Sequence, residues 1–298
     1  MKTLLVVPFK GRGGVVSVAE DLAKYLPEHG HEVLFFHPGE TVVLKTRTTP
    51  LGFLDFQLRL CFPFAKPRPI VSALAFPFLF PIILLQLIWF LRSRRIEIVN
   101  LHFAIDNFFY FAICRRLLSL RLVTSLHGSD AFPGGKPSSR YSRAFRFMLK
   151  ASDMIVLPSN AYRRKLLEVF PDVQHRTIFI HNGVDPAQFT SRNGQSSSGK
   201  RRYILCVTHL TELKGIDVLL RASKPLLTSD ETLNLILVGD GPQLRELETL
   251  ASSLGIRNKI HFVGRKHQTE VAALLHDCEV FVVPSRAESF SIVVIEAM

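Results

Sequence analysis

The chain has 298 residues, 47% of them hydrophobic and 21% charged, a balance that excludes intrinsic disorder and leaves room for two cores of ordinary size. Lysine and arginine number 37 against 25 aspartates and glutamates, a formal net charge of +12. This favours an anionic partner (phosphorylated ligand, acidic lipid surface or nucleic acid) without choosing among them. Cys61, Cys114, Cys206 and Cys278 form no C-x-x-C pair and have no histidine at zinc-finger spacing, so the expectation is a reducing compartment with neither a disulfide framework nor a structural metal.

The first residues, MKTLLVVPFKGRGG, join a basic start to a short apolar run that meets glycines rather than a cleavage site; they read as a strand and not as a secretory signal. Runs rich in Val, Ile and Leu recur at 3–7, 31–36, 96–102, 121–126, 152–158 and 176–181. Segments of helical periodicity separate them, which predicts parallel strands covered by helices on both faces. In the first such helix Val15, Val18, Ala19, Leu22 and Leu26 fall on one stripe, and Gly30 stands at the C-cap position.

Residues 71–91, between KPRP and RSRR, are long and apolar enough for a membrane span. Strands expected in one sheet lie on both sides of this run, so a single crossing would separate them. Two readings stand. One is a covering helix, buried or partly buried and broken near Pro77 and Pro81. The other is monotopic insertion, with Arg92, Arg94, Arg95, Arg115 and Arg116, and Arg140, Arg143 and Arg146 of RYSRAFRFMLK, meeting acidic headgroups. The second reading makes an anionic membrane surface a partner and places a cytoplasmic protein peripherally on the inner membrane face.

The stretch PAQFTSRNGQSSSGKRR, residues 186–202, has the composition of a flexible connection. The expected organisation is a first domain over 1–187, a linker over 188–201 and a second domain over 202–298. After the linker the alternation restarts, with strands at 203–208, 233–238, 259–263 and 279–283 and helices near 214–227, 242–254 and 267–277. The second domain is expected to be incomplete at Met298.

Several short segments follow in order: GRGGVVSVAEDLAKYL, HGSD at 127–130, HNGVD at 181–185, LTELKGIDVLL at 210–220, VGDGP at 238–242, HFVGR at 261–265 and ESFSIVVIEAM at the end. Each is weak alone, but the ordered series resembles the retaining glycosyltransferases of family 4. That resemblance implies an α/β architecture of two Rossmann-like doubly wound domains, the GT-B fold. It also implies transfer of a sugar from a nucleoside diphosphate sugar to a glycan or lipid-linked acceptor with retention of configuration. The first domain would bind acceptor and the second the nucleotide sugar, and the leaving phosphate would assist the acceptor hydroxyl.

No D-x-D pair occurs in the sequence, so no metal is expected, and cations with backbone amides would neutralise the diphosphate. Gly13 and Gly14 permit close backbone approach where a helix opens, and the resemblance turns them toward donor phosphates and acceptor. GRGGVV departs from the dinucleotide fingerprint because Val16 takes the place of its last small residue, which leaves a nicotinamide enzyme a poor alternative. By resemblance Lys214 faces the diphosphate. The arginine that family members carry five positions earlier is His209 here, a side chain without a bidentate fork.

By resemblance Glu288 would accept from hydroxyls of the donor sugar and Glu296 from the ribose, with Ser289, Phe290 and Ser291 in the donor loop between them and Ser291 standing where the family usually has glycine. A loop Glu288 and a helical Glu296 eight residues on would lie roughly 12 Å apart along the axis, comparable to a diphosphate. His127 and Asp130 lie at the end of a strand where open α/β sheets bind ligand; the resemblance makes them the expected catalytic pair and places His127 beside the reacting sugar carbon. Asn182 and Gly183 read equally well as a turn. Two other classes compete: a non-catalytic or decayed glycosyltransferase fragment, favoured by the early end, His209 and Ser291, and a nucleic-acid binder. The latter rests on net charge alone, so nucleic acid is not expected as a partner.

Overall fold

The computed structural model describes all residues except 9–13, 50, 64–68, 133–134, 136–140, 187–188 and 190–201. The chain divides into two compact units, Met1–Asn182 and Gly183–Met298. This division lies five residues ahead of the expected boundary, and the expected linker falls almost wholly outside the described residues.

The first unit runs β1 (Lys2–Val6), α1 (Gly14–Tyr25), β2 (Glu32–Pro38), β3 (Lys45–Thr48), β4 (Leu54–Leu58), α2 (Pro69–Ser93), β5 (Ile98–His102), α3 (Phe109–Leu117), β6 (Arg121–Ser125), α4 (Arg143–Ala151), β7 (Met154–Leu157), α5 (Asn160–Val169) and β8 (Thr177–Phe179). Its sheet has the order β3-β4-β2-β1-β5-β6-β7-β8. All neighbours are parallel except the antiparallel pair of β3 and β4.

Alternation along the strands assigns the helices to faces. Leu4, Val6, Leu34 and Phe36 pack with Ile83, Leu87 and Phe90 of α2 and Phe111 of α3. Leu5, Val7, Val33 and Phe35 point the other way and pack with Val16, Ala19 and Ala23 of α1. Helices α4 and α5 start at serines whose hydroxyls accept from the N–H of Phe145 and Tyr162, the expected chemistry of an N-cap.

Two features depart from the sequence reading. The β3–β4 hairpin was not expected: β3 (KTRT) is exposed throughout, and β4 buries Asp55 and Gln57 among its apolar residues. Those polar groups are satisfied by one another, His37 Nδ1 lying 2.6 Å from Asp55 Oδ1 and Gln57 Nε2 donating to Asp55 Oδ2 at 2.6 Å. Helix α2 is not broken near Pro77 and Pro81 but continues through both. Each proline removes one intrahelical donor; Phe76 and Phe80, immediately before them, pack against Phe109 and Tyr110 and hold the helix to α3.

The second unit runs β9 (Tyr203–Val207), α6 (Ile216–Ser229), β10 (Asn234–Val238), α7 (Leu244–Ser253), β11 (Ile260–Phe262), α8 (Gln268–Asp277), β12 (Val280–Phe281) and α9 (Ile292–Ala297). Its four strands are all parallel in the order β11-β10-β9-β12. The fold is thus α/β with two Rossmann-like units. In each sheet the chain steps outward on one side of its first strand and then returns to the other side. That reversal creates a switch point between β1 and β5 in the first unit and between β9 and β12 in the second.

Candidate active site

Several of the residues that the sequence singled out follow the carboxyl ends of the strands, Gly14 after β1, His127 and Asp130 after β6, His209 and Lys214 after β9 and Glu288 after β12. In the first unit Gly14 opens α1 after β1, whereas Gly13 lies outside the described residues. His127 follows β6 and is half-buried. Burial holds its imidazole pKa down at about 4, so the ring is neutral at pH 7.

Asp130 spends its carboxylate on backbone. Oδ1 and Oδ2 accept from the N–H of His127 at 3.1 Å each, Oδ1 from Gly128 at 2.8 Å and Ala131 at 3.1 Å, and Oδ2 from Ala104 at 3.2 Å. Burial raises the carboxyl pKa and those amides oppose the rise. The result is a tight turn that fixes His127 and ties it to the segment after β5. The Tyr162 hydroxyl donates to Gly128 O from α5 and closes the other side of that turn.

A residue that the motifs did not reveal stands at the same place. His102 ends β5, is buried, and sets Nδ1 3.2 Å from His127 Nε2. Burial and then the neighbouring His127 hold its pKa well below the usual histidine value. Its Nε2 has no partner among the described residues. The next residue, Phe103, takes a φ of 63°, a left-handed conformation that is uncommon for a bulky side chain and persists only when its surroundings fix it. The strand-end rule applied to IVNLH would have found His102, since β5 borders the switch point.

In the second unit the loops after β9 and β12 meet. Lys214 Nζ donates to Glu288 Oε1 at 2.8 Å and Oε2 at 2.7 Å, so two of the expected donor-binding residues form one ion pair at the switch point. The β12 loop is clasped to the start of α6 by Arg286. Its guanidinium donates to Asp217 Oδ1 and Oδ2 at 2.8 and 2.7 Å and to Glu212 O at 2.6 Å. Its backbone N–H donates to Leu213 O. Gly215, at φ 64°, lets these loops approach: a Cβ there would lie 2.2 Å from Pro284 O.

His209 faces Asp240 across 3.5 Å, and Arg265 Nε donates to the same Asp240 oxygen at 2.6 Å. Arg265 and the hydrogen bond with it hold the Asp240 carboxyl below its usual range. A guanidinium therefore stands near the position where His209 replaces an arginine, within the quoted HFVGR segment but without an assigned role there. Ser289 and Phe290 continue the β12 loop, Ser291 is the residue before α9, and Glu296 lies on that helix, which begins only at Ile292. Among the described residues no group of three or more His, Cys, Asp or Glu side chains is placed to hold a metal ion.

Residues 12–188 match the family model described as Glycosyltransferase Family 4, and residues 188–298 the one described as Glycosyl transferases group 1. The chain is similar to an uncharacterized glycosyltransferase of Methanocaldococcus jannaschii, at 30% identity over 208 residues, 70% of this chain and 55% of that protein. It is also similar to N-acetyl-alpha-D-glucosaminyl L-malate synthase of Bacillus anthracis, at 26% identity over 300 residues, 98% of this chain and 74% of that enzyme. It thus spans about half to three quarters of the length of these relatives. Among solved structures, Anabaena HepE in complex with UDP and glucose superposes with a TM-score of 0.71 at 18% identity, over 100% of this chain and 78% of that one. Sucrose-phosphate synthase from Thermosynechococcus elongatus gives 0.72 at 17% identity, over 100% and 79%. At such identities the likeness concerns the fold, and that fold is GT-B.

Proposed function

The chain belongs to the GT-B glycosyltransferases, with a Glycosyltransferase Family 4 module followed by a group 1 module, and on that premise we propose that it moves a sugar from a nucleoside diphosphate sugar to a glycan or lipid-linked acceptor with retention of configuration. The observation that carries this reading is the Lys214–Glu288 pair at the β9/β12 switch point. An ammonium held by a carboxylate is already desolvated in part and fixed in place. A donor would exchange that pair for two contacts, its diphosphate taking the ammonium and its sugar hydroxyls donating to the carboxylate. UDP bound to HepE supports the diphosphate assignment.

In this reading the acceptor oxygen bonds to the anomeric carbon as the bond from that carbon to the phosphate oxygen breaks. The acceptor proton passes to the departing phosphate on the same face of the sugar. Lys214 stabilises the charge that develops on the leaving group, and no metal is assigned to that task. His127, neutral at pH 7, acts as a hydrogen-bonding group toward the donor sugar rather than as a cation. Asp130 is a positioning residue that sets the turn carrying His127.

Calorimetric titration with UDP, ADP and GDP and with their monophosphates, all in EDTA, tests the site. At least one diphosphate should bind about tenfold or more tighter than its monophosphate, the scale of a charge-assisted contact in a partly buried site, and Lys214→Met should remove the difference. Equal affinity for the two series, or binding only after a divalent metal is added, would count against the assignment.

A further inference from the structure

Helix α2 has two unlike faces. Ile83, Leu87, Phe90 and Leu91 pack into the core of the first unit. On the opposite face Val71, Leu74, Phe78, Ile82, Leu85 and Trp89, spaced three and four residues apart, form a stripe about 27 Å long. They are exposed by 50% at Ile82 to 75% at Phe78. The polar residues of the helix before its last turn, Ser72 and Gln86, lie off this line, and Gln86 is engaged with Val42 O and Leu44 N–H. The stripe runs without a polar break to Arg92.

The helix does not cross a membrane, because β1 pairs with β2, which precedes α2, and with β5, which follows it; the two neighbours of β1 would otherwise lie on opposite sides. We propose that α2 lies in the plane of an anionic bilayer surface, its stripe among the upper acyl chains and its terminal arginines on headgroup phosphates. A protein partner would ordinarily supply about one hydrogen bond per 100–200 Å², and of the six side chains in this stripe only Trp89 has a polar group to answer with, its indole N–H. A second copy laid along it, in either direction, would oppose basic ends, since the helix is bracketed in sequence by KPRP and RSRR. An anionic surface complements both ends.

The structure also selects among the arginines. Arg115 is bound to Asp153, and Arg94, Arg116 and Arg146 lie over Phe56, Phe147 and Phe170. Arg92 and Arg95 are exposed and make no ion pair among the described residues. Trp89, on the stripe one turn before Arg92, has the amphipathic ring that favours the headgroup boundary.

Trp89 is the single tryptophan of the chain, so its emission reports this face of the whole protein directly. On phosphatidylcholine vesicles with 30% phosphatidylglycerol the emission should shift to the blue and be quenched by lipids brominated high on the acyl chain. On pure phosphatidylcholine, or at high salt, the shift should be much weaker. Leu74→Ser with Leu85→Ser, both exposed and so expected to fold as the native chain does, should abolish the shift with an unchanged unfolding midpoint. Arg92→Gln with Arg95→Gln should lower partitioning onto the anionic vesicles by roughly 25-fold, at about fivefold per arginine. Emission unchanged by either vesicle, or a blue shift that follows protein concentration without lipid, would overturn the proposal, the latter in favour of a second copy. None of these outcomes depends on whether the protein transfers sugar, so the two readings fail separately.

Discussion

A histidine that is neutral because it is buried must leave a mark on stability. His127 and His102 lie at hydrogen-bonding distance, 3.2 Å between Nδ1 of His102 and Nε2 of His127, and at most one proton can sit between them without repulsion. Burial lowers the pKa of His127 from 6.5 to about 4 and that of His102 in the same direction. The unfolded chain therefore takes up protons first as pH falls, and the stability that the pair confers is intact above about 6.5 and lost as pH drops through about 4. Asp130, whose carboxyl is raised by burial, works in the opposite sense, at the lower end of the range. Urea midpoints read from Trp89 emission should fall between pH 7.5 and pH 5 in the native protein. They should fall less in His127→Gln, where one of the two buried imidazoles is gone. An identical fall in both proteins would show that these imidazoles are not held neutral by the fold.

Among the elements, α2 supplies the sharpest contrast. Leu87 is fully buried, and Leu85, two residues away, is exposed by 66%. Leu87→Ala should destabilise the first unit by about 2–5 kcal/mol, whereas Leu85→Ala should change it by about 0.5 kcal/mol or less, as urea unfolding would measure. The sequence showed the apolar run but not which side met the core, since a helix apolar all round carries no phase. Other elements were legible for reasons of the same kind. Strands β1 and β2 are buried on both sides of a parallel sheet and so read as apolar runs. The β3–β4 hairpin was illegible because one strand is exposed and the other hides Asp55 behind His37 and Gln57. In the second unit Lys214 and Glu288 were each readable from their motifs, and the register of two loops brought them together. Arg286, which holds those loops through Asp217, carried no motif of its own, and neither did His102.

At the scale of the molecule, the described core residues form separate sets. The large cluster that runs from Leu4 to Val173 and the α1 cluster belong to the first unit, and two smaller clusters between Tyr203 and Val271 belong to the second. A smaller core leaves less apolar area to oppose chain entropy, so the second unit should melt first. Lys214 and Glu288 lie in that unit, and Trp89 lies in the other. A ligand that binds only the native form of one unit stabilises that unit by RT ln(1 + [L]/Kd), about 2.7 kcal/mol at a hundredfold excess over Kd. Calorimetric scans in EDTA should therefore show two transitions. The best-binding nucleoside diphosphate should raise the lower one by several degrees, while the transition followed by Trp89 emission stays in place. Lys214→Met should remove the ligand-induced rise yet leave both unliganded transitions within about a degree, because a partly exposed ion pair contributes little to folding. If the Trp89 transition moves as far as the other, the diphosphate is not held by the β9/β12 switch point alone, and the division of labour between the two units has to be redrawn.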